Sequence, residues 1–109
     1  MATVYKVLGQ SNPAATTPTT VYTVPAANSA VISTVNICNL AGTAGAFRIA
    51  VRPAGATLGN VHYLAYDVSI PANNTISYTV GLSLAATDVV TDYANTALIS
   101  FSVFGTEIY

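Results

Sequence analysis

The sequence predicts an all-β fold: an antiparallel two-sheet β-sandwich of about eight strands, with jelly-roll-like or Greek-key connections. Three observations lead there. Runs of β-branched and aromatic residues alternate with Gly, Pro, Asn and Ser clusters along all 109 residues, the pattern of strands and turns. No stretch repeats its apolar residues at helical spacing, and caps for a long helix are missing. The turn clusters recur at fairly regular intervals without a fixed-period repeat, which argues against a solenoid or propeller.

The first strand is expected at Thr3 to Leu8. Residues 9–19, with Pro13 and Pro18, read as an extended loop or an arm reaching onto a neighbour, because few apolar groups anchor them. A second strand at Thr20 to Val24 ends on Pro25, and Pro25 to Ser29 is a turn. The third, Ala30 to Leu40, alternates without a clean apolar face. Ile32, Thr34, Asn36 and Cys38 oppose Val31, Ser33, Val35, Ile37 and Asn39. A glycine-bearing connection, Ala41 to Gly45, makes a hairpin with a fourth strand at Ala46 to Arg52. There the pattern is cleanest: Phe47, Ile49 and Val51 point inward, and Arg48, Ala50 and Arg52 point out.

After the loop from Pro53 to Asn60, a fifth strand is expected at Val61 to Ile70. It places His62, Leu64, Tyr66 and Val68 on one face, opposite Val61, Tyr63, Ala65 and Asp67. The turn Pro71 to Asn74 leads to a sixth strand, Thr75 to Val80, with Ile76, Tyr78 and Val80 inward. A connection from Gly81 to Thr87 precedes a short seventh strand, Asp88 to Tyr93. Ala94 to Thr96 then turns the chain into the last strand, Ala97 to Phe104. Its row of Ile99, Phe101 and Val103 is apolar, and Gly105 marks a bulge or a stop. No gap between strands holds a second domain, so residues 1–109 read as one.

Charged residues make up only 6% of the chain, against roughly 25% in an ordinary soluble protein. Hydrophobic residues reach 52%, and the mean hydropathy is +0.55. A membrane span would need about 20 consecutive apolar residues. The uncharged stretch from Val7 to Phe47 is interrupted throughout by Ser, Thr, Asn, Gln, Pro and Gly, so no membrane role is expected. Met1 to Lys6 lacks the basic start and apolar block of a secretory signal. With that context missing, Asn73-Asn74-Thr75 reads as a chance sequon. Three basic residues and a net charge of −1 leave no electrostatic footprint for nucleic acid. A surface solvated by hydroxyls and amides, with little charge repulsion, suits a subunit covered by neighbours, and a homo-oligomer is expected.

The inventory for chemistry is small. Asp88 and Asp92 share a face at i, i+4, but about 13 Å of extended chain separates them, too far for a carboxylate dyad. Both read as isolated turn aspartates. His62 is the only histidine, with no nucleophile elbow and no ligand spacing around it. Cys38, the single cysteine, reads as a buried structural residue. No catalytic residue, cofactor or metal is expected. Arg48 and Arg52 are two of the three basic residues and sit on the polar face of one strand. They are candidate protein contacts, since arginine is enriched at interface hot spots. Tyr63 and Tyr66 are the other candidates: expected on opposite faces, at most one is core and the other an interface anchor.

Taken together, Met1 to Ser11, Val21 to Ala26, Phe47-Arg48-Ile49-Ala50-Val51-Arg52-Pro53-Ala54-Gly55, His62-Tyr63-Leu64-Ala65-Tyr66-Asp67, Asp88-Val89-Val90 and Ser100 to Ile108 carry a likeness. They resemble small virion structural proteins of tailed bacteriophages, including phages of cyanobacteria. The resemblance implies a non-enzymatic component of the phage particle, made in the host cytoplasm. It implies a capsid decoration or cement protein, homotrimeric by preference, that binds the major capsid protein or other virion proteins. A neck, tail or fibre-attachment accessory protein stays open beside it. A third reading, from another class, is a carbohydrate-binding β-sandwich module for host attachment; the absence of tryptophan counts against it.

Overall fold

The computed structural model describes residues 2–109; Met1, at the start of the expected domain, lies outside them. Eight strands form: β1 Thr3–Ser11, β2 Thr19–Thr23, β3 Ser29–Asn39, β4 Gly45–Arg52, β5 Tyr63–Ile70, β6 Thr75–Leu84, β7 Val89–Ala94 and β8 Ile99–Ile108. Two short 3-10 turns, Pro53–Gly55 and Asn60–His62, lie between β4 and β5. No helix among the described residues is long and apolar enough to cross a membrane.

The strands build two four-stranded antiparallel sheets, ordered β1-β8-β3-β6 and β2-β7-β4-β5. The first strand pairs with the eighth, the second with the seventh, the third with the sixth and the fourth with the fifth. That nested pairing is a long hairpin rolled over on itself, so of the two expected topologies the chain adopts the jelly roll. The sheets face each other through Ile32 and Ile37 of β3, Phe47 of β4, and Ile99, Phe101 and Val103 of β8, all buried. Phe47 meets Phe101 edge-on across the core, centroids 6.2 Å apart at 74°, a favourable aromatic geometry. Buried Asn39 ties one end: its Nδ2 donates to the carbonyls of Thr43, Ile70 and Pro71, and its Oδ1 accepts from the Ala41 N–H.

The β3 faces differ from a simple alternation, and the reason is local. Ile32 pairs with Gly105 and Thr34 with Phe104, so Ser33 is an extra residue, a β-bulge. The bulge changes the phase. Ala30 and Ile32 point inward before it, and Val35, Ile37 and Asn39 after it. Cys38 therefore falls on the outer side and is half-buried rather than a core residue. β1 carries its own extra residue, Leu8, at a neighbouring rung. β6 carries one more, since Val80 and Gly81 together stand opposite Ser33. The last strand runs through Gly105 to Ile108. Gly105 is thus not a stop: it is the place where the bulged neighbours crowd in. A Cβ there would run into the Val31 carbonyl oxygen. β6 likewise continues beyond Val80, which the bulge turns partly outward rather than into the core.

The 9–19 stretch stays with the domain. β1 continues through Ser11, Pro13 is buried, and the Thr16 N–H donates to the Ala94 carbonyl at 2.8 Å. Between these ties residues 14–18 are exposed.

Candidate protein-contact site

The outward face of β4 presents Arg48 between two tyrosines. Its guanidinium carbon lies 4.0 Å from the centroid of Tyr66 on β5 and 4.1 Å from that of Tyr93 on β7. The sheet register explains Tyr93, which is the direct cross-strand partner of Arg48. A bulge explains Tyr66. Phe47 pairs with Val68 and Ile49 with Ala65, so Tyr66 and Asp67 together face Arg48. Asp67 takes a left-handed backbone conformation, φ 51°, which aspartate tolerates better than most residues. Its carboxylate then meets the guanidinium side-on: Nε donates to Oδ1 at 2.6 Å and Nη2 to Oδ2 at 3.2 Å. That two-point pair holds Asp67 below the usual carboxylate range and raises Arg48 above its ordinary value. A planar cation stacked on rings and gripped by a fork of hydrogen bonds is an arrangement that lysine does not reproduce.

Tyr63 and Tyr66 were expected on opposite faces, and the structure corrects this. Tyr63 pairs with Ala50 while Ala65 pairs with Ile49, so Leu64 is an extra residue and both tyrosines point outward. Their rings touch at 88° with centroids 4.9 Å apart. Val68 and Ala65 turn inward, and Leu64 is left at the rim rather than on a face with Tyr66 and Val68. Asn60 joins the two tyrosines to line an open hollow. His62 lies in the 3-10 turn rather than in a strand. Its Nδ1 accepts the Gly59 N–H at 2.9 Å.

Arg52 shares the face of Arg48 but is used at home. It donates to the Thr91 hydroxyl at 3.1 Å and to the carbonyls of Gly55 and Ala56 at 3.4 and 3.0 Å, tying down the loop after β4. Asp88 behaves as its position implies: its carboxylate accepts the N–H groups of Ala54 and Ala85.

No protein-family model, curated protein or solved structure matches the chain.

Two buried acids were not foreseen as such. Glu107 on β8 accepts the Tyr22 hydroxyl at 2.7 Å and pairs with Lys6 at 2.9 Å. Lys6 first, then Tyr22, holds Glu107 below the ordinary range, while burial and Glu107 push the Tyr22 phenol up. Asp92 is not a turn residue. It sits on β7 opposite Ile49, 1% exposed, and neither carboxylate oxygen has a hydrogen-bond partner among the described residues. Burial pushes it up to about 6. The acids are dispersed, and no three of His, Cys, Asp and Glu gather among the described residues.

Proposed function

We propose that this chain is a non-enzymatic structural protein of a bacteriophage particle, a capsid cement or decoration protein that binds the assembled head. The observation that carries the reading is the set of Arg48, Tyr63, Tyr66, Asp67 and Tyr93 on the outer face of one sheet. Arginine and tyrosine are the side chains most often found at interface hot spots. Here their rotamers are already fixed by stacking and by the carboxylate, so docking forfeits little side-chain entropy. The sequence resemblance to phage virion proteins supplies the partner, the major capsid protein or a neighbouring virion protein. The jelly roll is compatible with that role, although it hosts many others. Contacts repeated over a shell add up even when each is modest.

Quantitative mass spectrometry of purified particles, split into heads and tails, tests the proposal. Abundant copies in the head fraction support a cement protein. A few copies with the neck or tail move it to an accessory of those parts. Absence from the particle refutes the virion reading.

A second reading is favoured by one specific feature. The perpendicular rings of Tyr63 and Tyr66 and the side chain of Asn60 line an open hollow. An aromatic corner beside an uncharged amide is a surface on which a sugar ring can stack and hydrogen-bond. A glycan array without hits removes the carbohydrate-binding reading.

A further inference from the structure

A buried carboxylate without a partner needs either a proton or water. Asp92 is fully buried, and neither of its oxygens meets a hydrogen-bond donor among the described residues. On β7 it stands opposite Thr19 of β2 on one side and Ile49 of β4 on the other. The Ser11 hydroxyl at the end of β1 is the one side-chain group that favours its charged form. The titratable groups on the surrounding elements are turned elsewhere. Tyr22 of β2, Lys6 of β1 and Glu107 of β8 bind one another. Arg48 of β4 is held on the outer face by Asp67, Tyr66 and Tyr93, and Arg52 by Thr91 and the loop after β4. Tyr5 of β1 is exposed. No charged group offsets the burial of Asp92.

The cover over this carboxylate is thin on the side of β2. Residues 13–18 cross from β1 to β2, and 14–18 are exposed. The backbone of the crossing has one tie to the body of the domain, the Thr16 N–H on the Ala94 carbonyl at 2.8 Å. Its other hydrogen bonds are internal. β2 is an outer strand of five residues, and an extra residue, Val21, interrupts its pairing with β7. An open hollow of about 330 Å³ reaches Ser11 from outside. Both ends of the crossing are pinned. Asn12, its amide nitrogen turned to the carbonyls of Ala97 and Ile99, donates to them at 2.9 and 3.0 Å. Beyond Thr20 the Val21 carbonyl lies so close to Gly9 that no Cβ fits between them.

We propose that residues 13–20 form a pH-operated flap, shut over Asp92 while the carboxyl keeps its proton and opening between its two pinned ends, with the rest of the sandwich intact, when the carboxylate has to reach water. Opening breaks the Thr16 tie and the rungs of Thr19 and Thr20 on β7. It leaves β4 and the central strands β3 and β8 paired. With the flap shut, burial pushes Asp92 up to about 6; with it open, the group returns toward 3.8. The shut form thus holds the proton more tightly. Opening is rarest in acid, grows about tenfold per pH unit between the two values, and levels off above about 6.

The test is native-state hydrogen exchange on the whole chain from pH 4 to pH 7, corrected for intrinsic exchange, with and without low urea. The Thr16 amide is the reporter. Its protection should fall about 50-fold over that range, less than the full rise because the open form is already more than half ionised at pH 4. Low urea should leave it unchanged, since a local opening exposes little surface, while the slow amides of β3 and β8 speed up. In Asp92→Asn the Thr16 protection should lose its pH dependence. A wild type whose Thr16 protection ignores pH overturns the proposal, because the flap then does not uncover Asp92. A urea dependence equal to that of β3 and β8 also overturns it, because the corner then opens only with the whole fold. So does a pH dependence that persists in Asp92→Asn, which assigns it to another group. The first two outcomes are read on the wild type and decide the matter even where the variant fails to fold.

Discussion

Replacing Asp92 by asparagine isolates the cost of an unpaired buried carboxylate. In the native state the group lies inside the sandwich and its value is pushed up to about 6, chiefly by burial. The Ser11 hydroxyl and the backbone of Asp92 itself oppose the shift without meeting hydrogen-bond geometry at the carboxylate. In the unfolded chain it titrates near 3.8. The folded state therefore holds the proton more tightly than the unfolded state. This contribution to stability is fully present below pH 3.8 and is lost as pH rises to about 6. A shift of about two pH units corresponds to about 3 kcal/mol. Asparagine has nearly the same shape and no charge, and its amide makes a constant difference at every pH. The informative quantity is thus the change in ΔΔG between acid and neutral pH, measured by urea unfolding with the slope checked for constancy. Relative to wild type, Asp92→Asn should gain about 2.5 kcal/mol in passing from pH 4 to pH 8, slightly less than the full amount because the unfolded carboxylate is already more than half ionised at pH 4. A pH-independent ΔΔG would refute the reasoning, because it would mean that the carboxylate is solvated or paired.

Further outcomes follow from the other groups. Glu107→Gln should destabilise the fold at neutral pH by about 1–3 kcal/mol, as it weakens the bonds to Lys6 and the Tyr22 hydroxyl. Because Glu107 is held below the ordinary carboxylate range, the wild type loses that stability as pH falls through the folded value, and the cost of the substitution shrinks in acid; urea midpoints across pH read this out. Arg48→Lys should leave the urea midpoint little changed, since the ion pair is solvent-exposed. It should nonetheless cut incorporation into particles, measured by mass spectrometry, if the stacked guanidinium makes the contact. Ala27 holds φ 69° in the turn closed by the Asn28 N–H and the Pro25 carbonyl. Relief of left-handed strain should outweigh the added unfolded-chain entropy of glycine, so Ala27→Gly should stabilise by about 0.5 kcal/mol in denaturant titration.

Much of the architecture was legible because strands and turns are written locally. All eight expected strands are present, and Phe47, Ile49, Ile99, Phe101 and Val103 face the core as their alternation implies. What alternation does not reveal is a bulge. One extra residue reverses the phase of everything after it, and nothing in Val31-Ile32-Ser33-Thr34 or Tyr63-Leu64-Ala65-Tyr66 marks it. That is why Val35 and Ile32 share a face, and why Tyr63 and Tyr66 touch. Arg48 was legible as an unusual charge, but its rings were not both foreseen. Tyr93 reaches it through pairing of β4 with β7, a long-range register that local patterns do not encode. Asp92 was misplaced for a similar reason: aspartate beside a turn is ordinarily solvated, and only the position of β7 between β2 and β4 encloses it.

The bulge at Ser33 also says where the chain can change length. Ser33 is unpaired with β8, while Ile32 and Thr34 hold consecutive partners on that strand. A chain lacking Ser33 would join those two residues in uninterrupted alternation, with Ile32 and Val35 still facing the core. A chain lacking Asn36 would instead turn Ile37 and Asn39 out toward water and break the ties between Asn39 and the end loops. The same strand thus contains one residue whose deletion the sheet can absorb and, three positions on, one whose deletion would turn half the strand inside out.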